Sequence, residues 1–140
     1  MSALAVDASV WVAAQDPTDP FCTASRAFLT HALVHRITLH VPAIARVEVA
    51  CALARRLRDS AEGLRLANLL LSTAGAKEHP MSAALLANAL STGTTGFLRG
   101  ADAIYAATAE MLGCQLVSWD KEHVRRAGAV LPDRWLTTNS

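Results

Sequence analysis

The acidic side chains are distributed unevenly along this chain. Asp7, Glu48, Asp102 and Asp120 lie in or beside apolar segments, whereas the other eight of the 12 acids sit in polar, turn-like or charged surroundings. Four carboxylates brought close together cannot all stay ionised without a cation. An all-oxygen set suits Mg²⁺ or Mn²⁺, which favour carboxylate and water ligands. Such an ion can lower the pKa of a bound water and offset charge on a reacting phosphate. Phosphodiester hydrolysis then needs no side-chain nucleophile. Ser9 and Ser118, each two residues from one of these acids, have hydroxyls that can orient a carboxylate or a metal water. Each acid taken singly also has a plainer reading. Asp102 suits a helix first turn, Asp120 suits a turn or cap, and Glu48 suits a solvated helix position. Asp7 is the hardest to explain structurally, because it ends a strand expected to be central.

The elements that must position these residues are readable from periodicity and punctuation. Leu4-Ala5-Val6 is a short apolar run and is expected to be a buried first strand. Ser9 is expected to cap a short helix through Ala14. Asp16-Pro17-Thr18-Asp19-Pro20 breaks the chain, and a helix is expected from Phe21 to Val34. Ile37 to Val41 alternates as a second strand does. Pro42 is expected to open a helix to about Leu57, ending in the basic stretch Arg55 to Arg58. Asp59 and Glu62 resemble a capping box, with a helix from Leu64 to Ala74 just past Gly63. Ala76 to Pro80 is ambiguous, a degenerate edge strand at most, and Ser82 to Leu90 is helical by composition. Ser91 to Gly100 is Thr/Gly-rich and is expected to be a mobile loop. An Ala-rich helix then runs from Ala101 to Met111 and stops at Gly113. Gln115 to Ser118 is expected to be a strand, Lys121 to Arg126 a short helix, and Ala129 to Leu131 a last strand. Short strands alternating with helices predict a parallel sheet covered on both faces. In such sheets ligands bind beyond the carboxyl ends of the strands, where Asp7 and Asp120 fall.

Composition narrows the class. At 140 residues, with 52% hydrophobic and 18% charged residues, the chain is expected to be one globular domain over residues 1–140. The apolar stretches are shorter than the roughly 20 residues of a membrane span. Met1 to Val6 shows no leader-like pattern, so the cytoplasm is the expected compartment. Cys22, Cys51 and Cys114 form no C-x-x-C, which argues against a structural zinc site, and they are expected to be buried free thiols. The formal net charge of +1 at first argues against nucleic acid. If four acids share a cation pocket, 13 basic side chains face only 8 acids elsewhere, and the near-neutral sum no longer excludes it.

At this point the chain resembles a known family. Val6-Asp7-Ala8-Ser9, Glu48 early in a helix after a strand and Pro42, Arg99-Gly100-Ala101-Asp102-Ala103 running into Ala106 to Ala109, and Leu116 to Asp120 look like the motifs of PIN-domain ribonucleases. The chain looks most like the VapC-type toxins of toxin–antitoxin pairs, from about Ala3 to Leu131. The resemblance implies a three-layer α/β/α sandwich with a parallel sheet of four or five strands. It implies that Asp7, Glu48, Asp102 and Asp120 are the catalytic, metal-holding acids for Mg²⁺ or Mn²⁺, with Ser9 and Ser118 beside them. It also implies endonucleolytic RNA cleavage, a homodimer, and a small antitoxin protein whose tail enters the active-site groove. A non-toxin RNA-processing nuclease and an inactive PIN-like binding module are the alternatives.

Other chemistry finds less support. Arg99, Lys121 and His123 flank the acids and can meet RNA phosphates, although Lys121 and His123 fit solvated surface charge equally well. The stretch Arg55 to Arg58 has the same two readings. His31 and His35 share a helix face, but Ala32 stands where a zinc protease needs Glu. Trp11, Trp119 and Trp135 are expected to pack in the core or an interface. No G-x-S-x-G, Walker loop or G-x-G-x-x-G is present. A dehalogenase-type phosphatase needs a second Asp where Ser9 stands, and a receiver domain needs an acidic pair near the first strand.

Overall fold

The computed structural model describes residues 2–140; Met1, the first residue of the expected domain, lies outside them. Four strands, β1 (Ala3–Val6), β2 (Thr38–Pro42), β3 (Lys77–His79) and β4 (Gln115–Val117), form one sheet in the order β3-β2-β1-β4. Every pairing is parallel, with Ala5 opposite His40 on one side and Leu116 on the other. Among the described residues, eight helices connect and flank the strands: α1 (Ala8–Gln15), α2 (Cys22–Val34), α3 (Ile44–Leu57), α4 (Ser60–Thr73), α5 (Ala83–Gly96), α6 (Gly100–Leu112), α7 (Lys121–Ala127) and α8 (Pro132–Asn139). The chain is therefore α/β with helices flanking a parallel sheet.

Leu4 and Ala5 of β1 are paired on both sides, and the side chains of Leu4, Ala5 and Val6 are buried. The main core joins them to Trp11 of α1, Phe28 of α2, Val49 and Leu53 of α3, Leu71 of α4, Tyr105 of α6 and Trp135 of α8. Helix α6 lies along β1, β2 and β4, and α5 packs on α6 through a smaller apolar cluster of Leu85, Ala89, Ala103 and Ala107. Close approach there depends on Gly93, where a Cβ would stand 2.6 Å from that of Ala103.

Several expectations are corrected. Ser91 to Gly100 is not a loop: α5 continues to Gly96, and only Phe97 to Arg99 separate it from α6. The Gly93–Ala103 fit and a Thr94 hydroxyl bond to the Leu90 carbonyl hold a stretch whose composition disfavours a helix. Pro42 closes β2 opposite His79 instead of opening α3. The ambiguous 76–80 stretch contains β3, an edge strand, while the expected last strand shrinks to a single bridge between Val130 and Val117. Helix α8 goes beyond the elements expected from the sequence; Pro132 sits in its first turn and Trp135 anchors it against α2. Of the cysteines only Cys22 is buried; Cys51 is exposed and Cys114 partly so.

Candidate active site

The chain runs outward from β1 through β2 to β3 and then returns to place β4 on the other side of β1. The switch point of this parallel sheet therefore lies between β1 and β4, beyond their carboxyl ends. Asp7 follows β1 directly, and its backbone N–H continues the ladder by donating to the Val117 carbonyl at 2.9 Å. Ser118 follows β4, fully buried, and its hydroxyl donates to Asp7 Oδ2 at 2.9 Å while accepting from the Asp120 N–H at 3.0 Å. Ser9 Oγ accepts from the Trp119 N–H at 3.1 Å, and the two serine oxygens are 3.4 Å apart. This network clamps the two strand ends together.

Asp7, not Ser9, caps α1: its Oδ2 accepts from the Ser9 N–H at 3.2 Å. Asp120 likewise caps α7, accepting from the Glu122 N–H at 2.8 Å. The two acids at the strand ends thus face helix N-termini, which favour negative charge. Asp102 occupies the first turn of α6. Glu48 lies in the second turn of α3, half-buried. Burial pushes its carboxyl above the usual range, and the charges of Asp7 and Asp102 add to that; the Tyr105 hydroxyl and His123 act in the opposite direction.

Two cationic or potentially cationic groups link these acids. Arg99 Nε lies 3.3 Å from Asp102 and its terminal nitrogen 3.3 Å from Asp120. The His123 ring has Nε2 3.1 Å from Asp102 Oδ1 and Nδ1 3.9 Å from Asp7 Oδ1. Among the described residues, no three His, Cys, Asp or Glu side chains converge tightly enough to close a metal site as they stand. Like charges keep apart unless a cation lies between them, and here the carboxylates are spread over Arg99 and His123. The donor set nonetheless fits a hard divalent cation: it is carboxylate oxygen throughout, and Glu48 Oε1 is buried with no hydrogen-bond partner.

His123 is a further correction. It is fully buried beneath the acids and is not a solvated surface charge. Tyr105, one turn after Asp102 on α6 and almost fully buried, brings its hydroxyl against Glu48 and was not singled out from the sequence. Its i, i+3 spacing from Asp102 was the available signal. Lys121 is exposed on the first turn of α7. Arg56 is engaged with Asp16 at 2.8 Å and Asp19 at 2.7 Å. Arg55 lines a cleft of about 470 Å³ that runs from Ser9 and Glu48 past Val47 and Cys51. Trp11 and Trp135 belong to the core, while Trp119 is partly buried, stacks on Phe21 at 4.2 Å and donates from its ring nitrogen to Ser25 at 2.7 Å.

This architecture has solved relatives. A protein from Pyrobaculum aerophilum is 25% identical, with a TM-score of 0.71 over 98% of this chain and 88% of its own. Mycobacterium tuberculosis VapC20, described as a Sarcin-Ricin loop cleaving toxin, is 19% identical, with a TM-score of 0.73 over 91% of this chain and 96% of its own. Rickettsia felis VapBC2, solved bound to a DNA fragment from its promoter, is 14% identical, with a TM-score of 0.71 over 92% and 96%. No curated protein is similar enough to be matched. The PIN domain model matches residues 4–129, and the chain therefore belongs to the PIN domain family.

Proposed function

We propose that this protein is a divalent-metal-dependent endoribonuclease and the toxin of a toxin–antitoxin pair, acting in the cytoplasm. The observation that carries the reading is that Asp7 and Asp102 flank His123 at the sheet's switch point, with Asp120 tied to Asp102 through Arg99 and Glu48 near enough to feel both charges. Asp7, Glu48, Asp102 and Asp120 would hold Mg²⁺ or Mn²⁺. An ion held there would supply an activated water and positive charge to offset that of the scissile phosphate. The residues of the chain do the remaining work. Ser118 fixes the Asp7 carboxylate, Ser9 holds the Ser118–Asp120 turn against α1, and Arg99, largely exposed, is free to swing to a substrate phosphate. Lys121 adds positive charge on the same rim.

The partners follow from the same surface. The cleft from Ser9 and Glu48 along Val47, Cys51 and Arg55 is open and mixed in polarity, suited to an extended antitoxin tail. The complexes solved for Rickettsia felis VapBC2 and for a Klebsiella pneumoniae toxin–antitoxin pair support such a partner. Leu86, Leu90 and Phe97 leave an exposed apolar strip along α5, which suits a second copy of the chain in a homodimer.

The reading is tested by incubating wild type, Asp7→Asn and Asp102→Asn with an RNA panel and Mg²⁺ or Mn²⁺. Cleavage by wild type alone, abolished by chelator, is expected. Equal cleavage by the variants removes the site assignment, and full activity in excess chelator removes the metal. Growth arrest on expression, relieved by the protein encoded beside it, is the expected cellular outcome.

A further inference from the structure

Buried polar atoms almost always find a hydrogen-bond partner. Among the described residues four buried side-chain atoms do not: Glu48 Oε1, the Tyr105 hydroxyl, and both ring nitrogens of His123. All four belong to one place. The Tyr105 and His123 rings are 6.5 Å apart, the Tyr105 hydroxyl is close enough to Glu48 to act on its ionisation, and His123 Nε2 is 3.1 Å from Asp102 Oδ1. His123 Nε2 thus stands at bonding distance from a carboxylate oxygen with no hydrogen bond formed between them.

We propose that His123 and Tyr105 are positioning residues that turn the carboxylates of Asp102 and Glu48 toward a divalent cation. This rests on the metal site of the preceding section. Carboxylates that hold an ion are themselves hydrogen-bonded, and those outer partners fix which lone pair faces it. The two candidates are suited to that role by rigidity. Tyr105 is 1% exposed and His123 is 0% exposed, so packing holds both rings. Tyr105 stands one turn beyond Asp102 on α6, and His123 one turn into α7 from Asp120, so each acid-bearing helix also delivers part of the rear wall. With Nε2 carrying the proton, a small rotation of Asp102 completes one bond and a rotation of Glu48 completes the other. A bound ion that turned the carboxylates toward these donors would gain affinity from the bonds so completed.

The distinguishing consequence is opposite in sign for the two states. Replacing Tyr105 by Phe or His123 by Phe removes an unsatisfied polar group from the ion-free protein but removes a formed bond from the ion-bound one. The experiment uses the full chain: wild type, Tyr105→Phe, His123→Phe, and His123→Gln, which keeps an N–H donor near the Nε2 position. Mn²⁺ affinity is read from the EPR signal of the free ion, and Tm is read with chelator and with saturating Mn²⁺. The expected result is an unchanged or higher Tm in chelator for the Phe variants, with Mn²⁺ bound about 10- to 100-fold more weakly and a smaller Mn²⁺-induced gain in Tm. His123→Gln is expected to recover much of the affinity. If His123→Phe does not fold, the Gln and Tyr105 variants carry the test. Wild-type protein that binds no Mn²⁺ overturns the metal site itself. Wild type that binds, with variants binding equally well, overturns the positioning role alone. A directly bonded nitrogen coupling in the pulsed EPR spectrum, lost in His123→Phe, overturns it in favour of His123 as a ligand.

Discussion

Ser118 and Asp7 are 111 residues apart in the chain, yet the Ser118 hydroxyl donates to Asp7 Oδ2 at 2.9 Å in a buried contact that joins the ends of β4 and β1. The same oxygen accepts from the Asp120 backbone. One hydroxyl thereby sets the relative position of two of the four acids.

Removing that hydroxyl is expected to be felt in both stability and ion binding. A buried hydrogen bond to a charged group contributes about 1.5–3 kcal/mol. Ser118→Ala should lower stability by roughly 2 kcal/mol, measured by urea unfolding in chelator, and weaken Mn²⁺ binding about tenfold. A variant as stable as wild type would mean that the Ser9 N–H and helix α1 hold Asp7 without help.

The raised Glu48 carboxyl produces a specific pH dependence. Its value in the folded state lies above the ordinary 4.5 because of burial and the neighbouring Asp7 and Asp102 charges. The folded protein therefore binds this proton more tightly than the unfolded chain does. Without metal, stability should fall as pH rises from the ordinary glutamate range through the raised value. Glu48→Gln should lose that fall and unfold at a higher temperature than wild type at neutral pH in chelator, with the difference vanishing below pH 4.5. Parallel Tm–pH curves for the two proteins would contradict the assignment.

Two glycines set how closely the helices carrying Glu48 and Asp102 approach their neighbours. A Cβ at Gly63 would meet the Ala54 backbone nitrogen at 2.5 Å, and one at Gly93 would meet the Ala103 Cβ at 2.6 Å. Gly63→Ala and Gly93→Ala should each cost about 1–3 kcal/mol through overpacking. The pairs should respond differently to a second change. Ala103→Gly removes the atom that Gly93→Ala strikes, so the double variant should show a favourable coupling energy. Ala54→Gly leaves the α3 backbone in place and should not relieve Gly63→Ala. Equal coupling in the two denaturation cycles would refute this account.

Arg99 bridges Asp102 and Asp120 from the surface, with its side chain 76% exposed. Exposed pairs of this kind contribute little, about 0–1 kcal/mol. Arg99→Ala should therefore leave Tm within a few degrees of wild type. Its effect should fall on RNA: a higher KM and a salt dependence of binding reduced by about one phosphate contact. A large loss of stability with unchanged RNA binding would reverse the two roles.

The candidate site is legible in the sequence as a proposal, because the acids mark themselves by context. Asp7 and Asp120 end apolar runs, Asp102 opens an Ala-rich helix, and Glu48 interrupts one. Strand ends and helix starts are local properties, set by short-range backbone sterics and capping, so the sequence carries them openly. The fate of the Ser91 to Gly100 stretch was not local. Its Thr and Gly residues favour a loop in isolation, whereas in the fold the stretch packs closely on α6, with Gly93 against Ala103. The role of Pro42 was likewise decided by β3, whose three residues have no apolar pattern and read from sequence only as an ambiguous, degenerate edge strand until paired with β2.

The sequence by itself determined the alternation of strands and helices and the parallel sheet, and it nominated four candidate acids, since these depend on residue type and spacing along the chain. Only the tertiary structure decided how those acids are held. Across the switch point, Ser118 is bound to Asp7, Arg99 spans Asp102 and Asp120, and His123 lies buried between Asp102 and Asp7. A histidine three residues after an acid in a charged stretch looks solvated in one dimension. Its burial follows from where α7 lands against the ends of β1 and α6, and that is a property of packing, not of local sequence.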